Sequence, residues 1–374
     1  MDSARTRLAA QLRSLPAALP SVAIGFDGFV DEMIRLVGER HGLDSYAAVP
    51  SIAAFGELIG RAAGHGGLRE IVVTAVHPGG CAVNMGDGLA ALGVPVDAFA
   101  TLGDPPHPAF AGVTARFRQV RTWGRAPGRT LAFEFADGKM MFSSVAHLAE
   151  LTADQAAAFL ADGAYPQACR RARLIALTDW TLYPHMTAVW RRLQDEVYRH
   201  LTHRPSFFVD LVDPSGRTDG DIRAMLESLP AFESAGPVTL GLNVGEANTL
   251  ARTLGLPAGA ESAPGDAGAL ADRLRRRLGL SEVVIHHRTS AAVANAAGGA
   301  ALAACPCAQP RKSTGAGDRF NAGYGLGLLL GLPPQERLLC ACGVGGFFVR
   351  EARSPDRAEL ADFLEDPGWP DSAG

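Results

Sequence analysis

Lysine is nearly absent from this 374-residue chain: of its 35 Lys and Arg residues, only Lys139 and Lys312 are lysines. A dominant charge of one sign is missing too. A formal net charge of −4 provides no basic field for nucleic acid or an anionic membrane. The single basic run, Arg273-Leu274-Arg275-Arg276-Arg277, lies in a helical pattern and reads as a solvated face. No CxxC occurs among Cys81, Cys169, Cys305, Cys307, Cys340 and Cys342, and neither Cys-x-Cys pair has zinc-finger spacing. Reduced structural thiols in a cytoplasmic protein are expected. No apolar run approaches the roughly 18 residues of a membrane helix. The Arg-containing N-terminus imitates a targeting peptide, but Pro16 and Pro20 break its apolar stretch, so none is expected. With no repeat, low-complexity tract or long linker, residues 1–374 are expected to form one domain.

What is there is an α/β pattern. Short β-branched runs at 21–26, 71–76, 98–102, 174–177, 207–211, 238–242 and 283–286 read as strands. Helical periodicity lies between them, at 185–201, 221–229, 267–278 and 335–349. This alternation predicts a doubly wound, mostly parallel sheet flanked by helices, with ligands beyond the carboxyl ends of its strands. One segment departs from it. Residues 130–136 alternate at period two, and Asp137-Gly138 turns them back into 139–144. Together with material from 31–70, this hairpin predicts a small β-layer over the site. The tail after Asp366 reads as loosely ordered.

The segment Ser313-Thr314-Gly315-Ala316-Gly317-Asp318 precedes a long apolar helix at 320–330. Small residues let a ligand approach the backbone, and the first N–H groups of a helix point outward unpaired, which makes an anion site. A carboxylate in that turn repels an anion unless it has a task. Asp318 either caps the helix or takes a proton from a hydroxyl attacking the bound phosphorus. Other phosphate and hydrolase motifs fail: there is no GxxxxGK[ST], HExxH, GxSxG or EF-hand loop. The glycines Gly323, Gly325 and Gly327 lie inside the helix, where no dinucleotide fingerprint belongs.

Four motifs together resemble the ribokinase-like (PfkB) carbohydrate kinases across nearly the whole chain. Gly315-Ala316-Gly317-Asp318 is similar to their C-terminal signature. Pro78-Gly79-Gly80-Cys81-Ala82-Val83-Asn84, with Leu102-Gly103-Asp104 after it, resembles the N-terminal one. Asn243-Val244-Gly245-Glu246 resembles their NxxE element, and Asp213-Pro214 with Arg217 their mid-chain DPxxR stretch. The resemblance implies a ribokinase-like fold with a β-lid and transfer of the ATP γ-phosphate to a hydroxyl of a sugar or sugar-like alcohol. Asp318 would be the general base, with the N–H groups of Gly315, Ala316 and Gly317 as anion hole. Asp31, Gly79, Gly80 and Asn84 would bind the sugar, with Asp27 as a further candidate. Asn243 and Glu246 would position Mg²⁺, largely through water. Nucleotide contacts would come from Asn243, Thr314 and Lys312, and from His287 and Thr289. Two copies could pair through the lid.

Two departures from the family pattern bear on these expectations. Residues 284–290 read Val-Ile-His-His-Arg-Thr-Ser where relatives carry a glycine-containing nucleotide loop. Gly25-Phe26-Asp27-Gly28-Phe29-Val30-Asp31 also resembles the start of ADP-dependent sugar kinases. ADP as donor, a nucleoside or vitamin acceptor, and a non-catalytic binding relative are therefore the alternatives. Finally, Lys312-Ser313 stands where many relatives hold a monovalent cation through an Asp-Thr pair. Lys312 is expected to supply that positive charge itself, since its ammonium is a compact point charge.

Overall fold

Apolar β-branched runs become strands buried on both faces, as at Val22–Phe26 and Leu174–Leu177, where every residue is buried. The computed structural model describes residues 4–259 and 264–369. In chain order its strands are β1 Val22–Phe26, β2 Phe29–Arg40, β3 Tyr46–Ala48, β4 Ile71–Gly79, β5 Val96–Ala100, β6 Gln119–Thr122 and β7 Gly128–Phe135. They continue as β8 Gly138–Ser144, β9 Leu174–Leu177, β10 Ser206–Asp210, β11 Val238–Asn243, β12 Glu282–His286, β13 Ser290–Asn295 and β14 Gly298–Ala303.

A nine-stranded sheet runs in the order β14-β13-β12-β11-β10-β9-β1-β5-β6. From β6 to β12 every pairing is parallel, and β13 and β14 close one edge antiparallel. Helices cover both faces, and alternate strand residues divide into two apolar cores, one per face. The expected helical patterns appear as Met186–Glu196, Asp219–Leu226, Pro264–Leu278, Ala316–Leu329 and Pro334–Glu351. Glycine sets the closest helix contacts. A Cβ at Gly88 would strike that of Ala322, and one at Gly323 would strike the Cys340 carbonyl. The Cys81–Ala91, Ala316–Leu329 and Pro334–Glu351 helices therefore pack nearly backbone to backbone.

The lid joins the 130–144 hairpin to material from 31–70, as expected, and adds β4. β7 and β8 join β2, which also pairs with β4 and, at its far end, with β3. The strand expected at 71–76 belongs here, not in the main sheet. Period and composition do not distinguish a core strand from a lid strand, but exposure does: Ile71, Val73 and Val76 are each more than 40% exposed. The lid carries its own small core. Phe55, on the Ile52–Ala62 helix, stacks on Phe133 and Phe135, with Leu36 and Val49 beneath. The tail differs from expectation as well. Trp369 is buried, and its indole N–H donates to the Phe363 carbonyl at 2.9 Å.

Candidate active site

The parallel strands end together, and their carboxyl ends deliver a row of polar groups. Asp27 follows β1, Thr178 and Asp179 follow β9, Asp210 ends β10, Asn243 ends β11 and His286 ends β12. Above them, the lid presents a polar row across four strands, because His77, Asp31, Thr130 and Ser143 are in direct register. The Thr130 hydroxyl bonds to Asp31 and lies 3.1 Å from that of Ser143. Burial raises the Asp31 pKa, with the Thr130 hydrogen bond opposing the shift. Burial, then the charge of Lys312, lowers that of His77, so its imidazole is neutral.

Two glycines fit the lid to the sheet. A Cβ at Gly79 would meet both oxygens of the Asp31 carboxylate. Gly80 adopts φ +97°, a backbone that β-carbons resist, and a side chain there would meet Asp27 and the Gly28 backbone. Asp27 itself does not face the cleft. It is fully buried and accepts the backbone N–H groups of Cys81 and Ala82 and the Thr178 hydroxyl, capping the Cys81–Ala91 helix from a distant strand. Burial pushes its carboxyl up to about 6 against the pull of Thr178. Its geometry is that of a positioning residue, not of a sugar ligand.

Gly315, at φ +84°, turns the chain into the Ala316–Leu329 helix and leaves Asp318 in the first turn. The Asn84 amide donates to Asp318 at 2.9 Å. Asn84, expected against a sugar hydroxyl, spends one amide N–H on this carboxylate. Asp210 and the Cys81 thiol lie so close that each offers an atom within 4.8 Å of the other and of Asp318. Burial, then Glu246, raises the Asp210 pKa well above the carboxylate range, and the Asn321 amide donates to it. Behind the turn, Arg319 pairs with Asp87 at 2.8 Å in a buried cluster with Ser354, and lies over the Phe348 ring. Lys312 points inward beside it, with Nζ 5.7 Å from the same ring. Burial, then Arg319, lowers its pKa.

Asn243 and Glu246 form a reciprocal capping box at the start of the Val244–Thr253 helix, with bonds of 2.9 and 2.8 Å. Burial lifts the Glu246 carboxyl to about 7. Only its Oε2 is used in the box. His287 and Thr289 bond to each other at 3.0 Å in the β12–β13 turn. It is His286, its ring tilted against that of Phe320 at 4.8 Å, that reaches the glycine turn, close to Gly317. Arg217 lies 4.3 Å from the Trp180 ring and donates to the Thr181 and Tyr183 carbonyls, so the mid-chain motif braces a loop.

A sequence profile described as prokaryotic ketohexokinase matches residues 1–367. The chain belongs to the prokaryotic ketohexokinase family. Among curated relatives, a ketohexokinase from Haloferax volcanii is 30% identical over 97% of this chain and 96% of its own. Among solved structures, ribokinase from Thermotoga maritima superposes with a TM-score of 0.63 at 14% identity, covering 93% of this chain and all of its own. Arabidopsis thaliana ribokinase, solved with ribose and ATP, gives 0.60 at 15% identity, covering 93% and 99%. These likenesses carry the ribokinase-like fold, and the family makes the protein a carbohydrate kinase. Among the described residues no helix is long and apolar enough to cross a membrane.

Several site residues were not singled out from sequence: His77, Thr130, Ser143, Asp210, His286 and the Arg319–Asp87 pair. His77 and Thr130 were within reach, since Asp31 lies on a strand and its partners must alternate.

Proposed function

We propose that this member of the ketohexokinase family transfers the γ-phosphate of ATP to a hydroxyl of a ketohexose such as D-fructose. The observation that carries the proposal is the Asp318 carboxylate, held by Asn84 at 2.9 Å in the first turn of a glycine-initiated helix, opposite the lid's polar row. Asp31 and Thr130 accept and donate hydrogen bonds as a polyol requires, and neutral His77 does the same. The sugar hydroxyl gives its proton to Asp318 as its oxygen bonds to phosphorus, the bond from phosphorus to the β-phosphate oxygen breaks, and ADP leaves. The N–H groups of Gly315, Ala316 and Gly317 stabilise the charge that develops on the transferring group.

The oxygen donors near the nucleotide side suit a hard divalent cation. Glu246 is buried, and one of its oxygens is not used in the capping box. Asn243 and Glu246 would hold Mg²⁺ and its waters. When bound, that ion offsets the phosphate charge. ATP is favoured over ADP as donor because the NxxE and GAGD elements both resemble the ATP-using branch. The test is product formation from D-fructose with Mg·ATP and, separately, Mg·ADP. Turnover with ATP alone is expected, and turnover with ADP alone would reverse the donor assignment.

The lid also supports self-association. On the edge strand β8, Met141 and Phe142 expose 47% and 46% of their surface, an apolar edge that a second copy would cover. Phe142→Glu should shift the species seen by light scattering from dimer to monomer. A wild-type monomer at micromolar concentration would rule this pairing out.

A further inference from the structure

The hairpin tip of the lid reaches the anion turn through one side chain. Lys139 is the first residue of β8 after Gly138, and its Nζ donates to the Thr314 hydroxyl at 2.6 Å across 175 positions of sequence. The tip is fixed from behind, because Asp137 accepts the Ile52 N–H at 2.9 Å. Thr314 directly precedes Gly315, so the ammonium stands one residue from the helix N-terminus described above.

The ammonium is poorly matched by protein. It has three donors, but Thr314 is its only hydrogen-bond acceptor among the described residues. The nearest carboxylate, Glu134, is 3.8 Å away, too far for a hydrogen bond. The side chain is only 22% exposed. Lys312, three residues before Gly315, lies near enough for the two charges to interact. Both lysines of the chain therefore converge on one helix N-terminus. A partly buried cation whose one hydrogen bond goes to a neutral hydroxyl, with its carboxylate neighbour beyond hydrogen-bond reach, has donors free for an anion.

We propose that Lys139 is a lid-borne ligand of the transferring phosphoryl group, exchanging its bond to Thr314 for non-bridging γ-phosphate oxygens when ATP is bound. This rests on the reading of the site as that of an ATP-dependent sugar kinase. Lys139 donates N–H bonds and gives up no proton: the hydroxyl proton still goes to Asp318, and ADP is still the leaving group. The exchange would give a lid tip that already rests on Thr314 a contact made only when a γ-phosphate is present.

The experiment uses the full chain, with D-fructose and Mg·ATP as probes. Lys139→Met should lower kcat by about 10²-fold, the scale of one lost transition-state donor, with the fructose KM within about threefold of wild type. Lys139→Arg should recover a large part of that loss. A second arm needs no turnover: calorimetry should show Lys139→Met weakening ATP about tenfold while ADP binding changes less than twofold, because only ATP has the γ-phosphate. A residue that merely latches the lid would move both nucleotides together or neither. Equal effects on ATP and ADP, or a kcat within twofold of wild type, would overturn the proposal. If the wild type bound ATP in this γ-phosphate-dependent way but did not phosphorylate fructose, the acceptor assignment would fail and the role of Lys139 would stand.

Discussion

At the scale of single residues, the site is built from groups that burial has pushed away from their ordinary ionisation. Asp27 is the clearest case. Its carboxyl is lifted to about 6 from 3.8, so it binds its proton more tightly folded than unfolded. The protonated form therefore stabilises the fold fully below about pH 4, and that contribution is lost as pH rises through 6. Asp27→Asn removes this titration and turns a donor toward the Cys81 and Ala82 N–H groups. It should cost about 1–3 kcal/mol, the range for an unsatisfied buried group. The wild-type advantage in urea unfolding should shrink between pH 4 and 6; an advantage that grows over that interval would contradict the pKa direction. Lys312 makes the second case. It lies inward beside Arg319 and Phe348, and we propose that its ammonium supplies the charge that the resemblance assigns to a monovalent cation. Turnover at constant ionic strength should be the same in K⁺, Na⁺ and a bulky organic cation. Strong activation by K⁺ alone would show that a metal site survives.

At the scale of elements, sequence conveyed periods better than partners. The strand expected at 238–242 was legible because a β-branched run is local, whereas the capping box of Asn243 and Glu246 that follows it emerged only from the structure. β4 was misplaced because an apolar strand looks the same in a lid as in a core. Lys139 was visible as a rare residue, but its acceptor is 175 positions away, beyond any pattern in local sequence. The lid's own core also changes what should be expected of it. A lone hairpin is marginal, but five strands and a helix with stacked Phe55, Phe133 and Phe135 are not. Hydrogen exchange should show slow amides in β2 and β7 without substrate, with added fructose and ATP protecting mainly the 136–144 tip. Fast exchange throughout β2 and β7 would mean that the lid forms only around its ligand.

At the scale of the whole molecule, the parallel sheet gathers side chains from β1, β9, β10, β11 and β12 at one edge, and the lid covers that edge. The doubly wound fold and the four motifs were readable because order and spacing survive at low identity. What was not readable was the division of labour among the acids. Asp27, Asp31, Asp210 and Asp318 look alike in sequence, and only their neighbours separate a cap, a lid carboxylate in register with Thr130, a buried partner of Asn321 and a group in the first turn of a helix. The central claim is that Asp318 is the base of a phosphoryl transfer, and its most direct test is Asp318→Asn. With saturating D-fructose and Mg·ATP, kcat should fall by about 10² to 10⁴, while calorimetric affinity for both ligands stays near wild type. Near wild-type turnover in this variant would reduce Asp318 to a helix cap and contradict the mechanism.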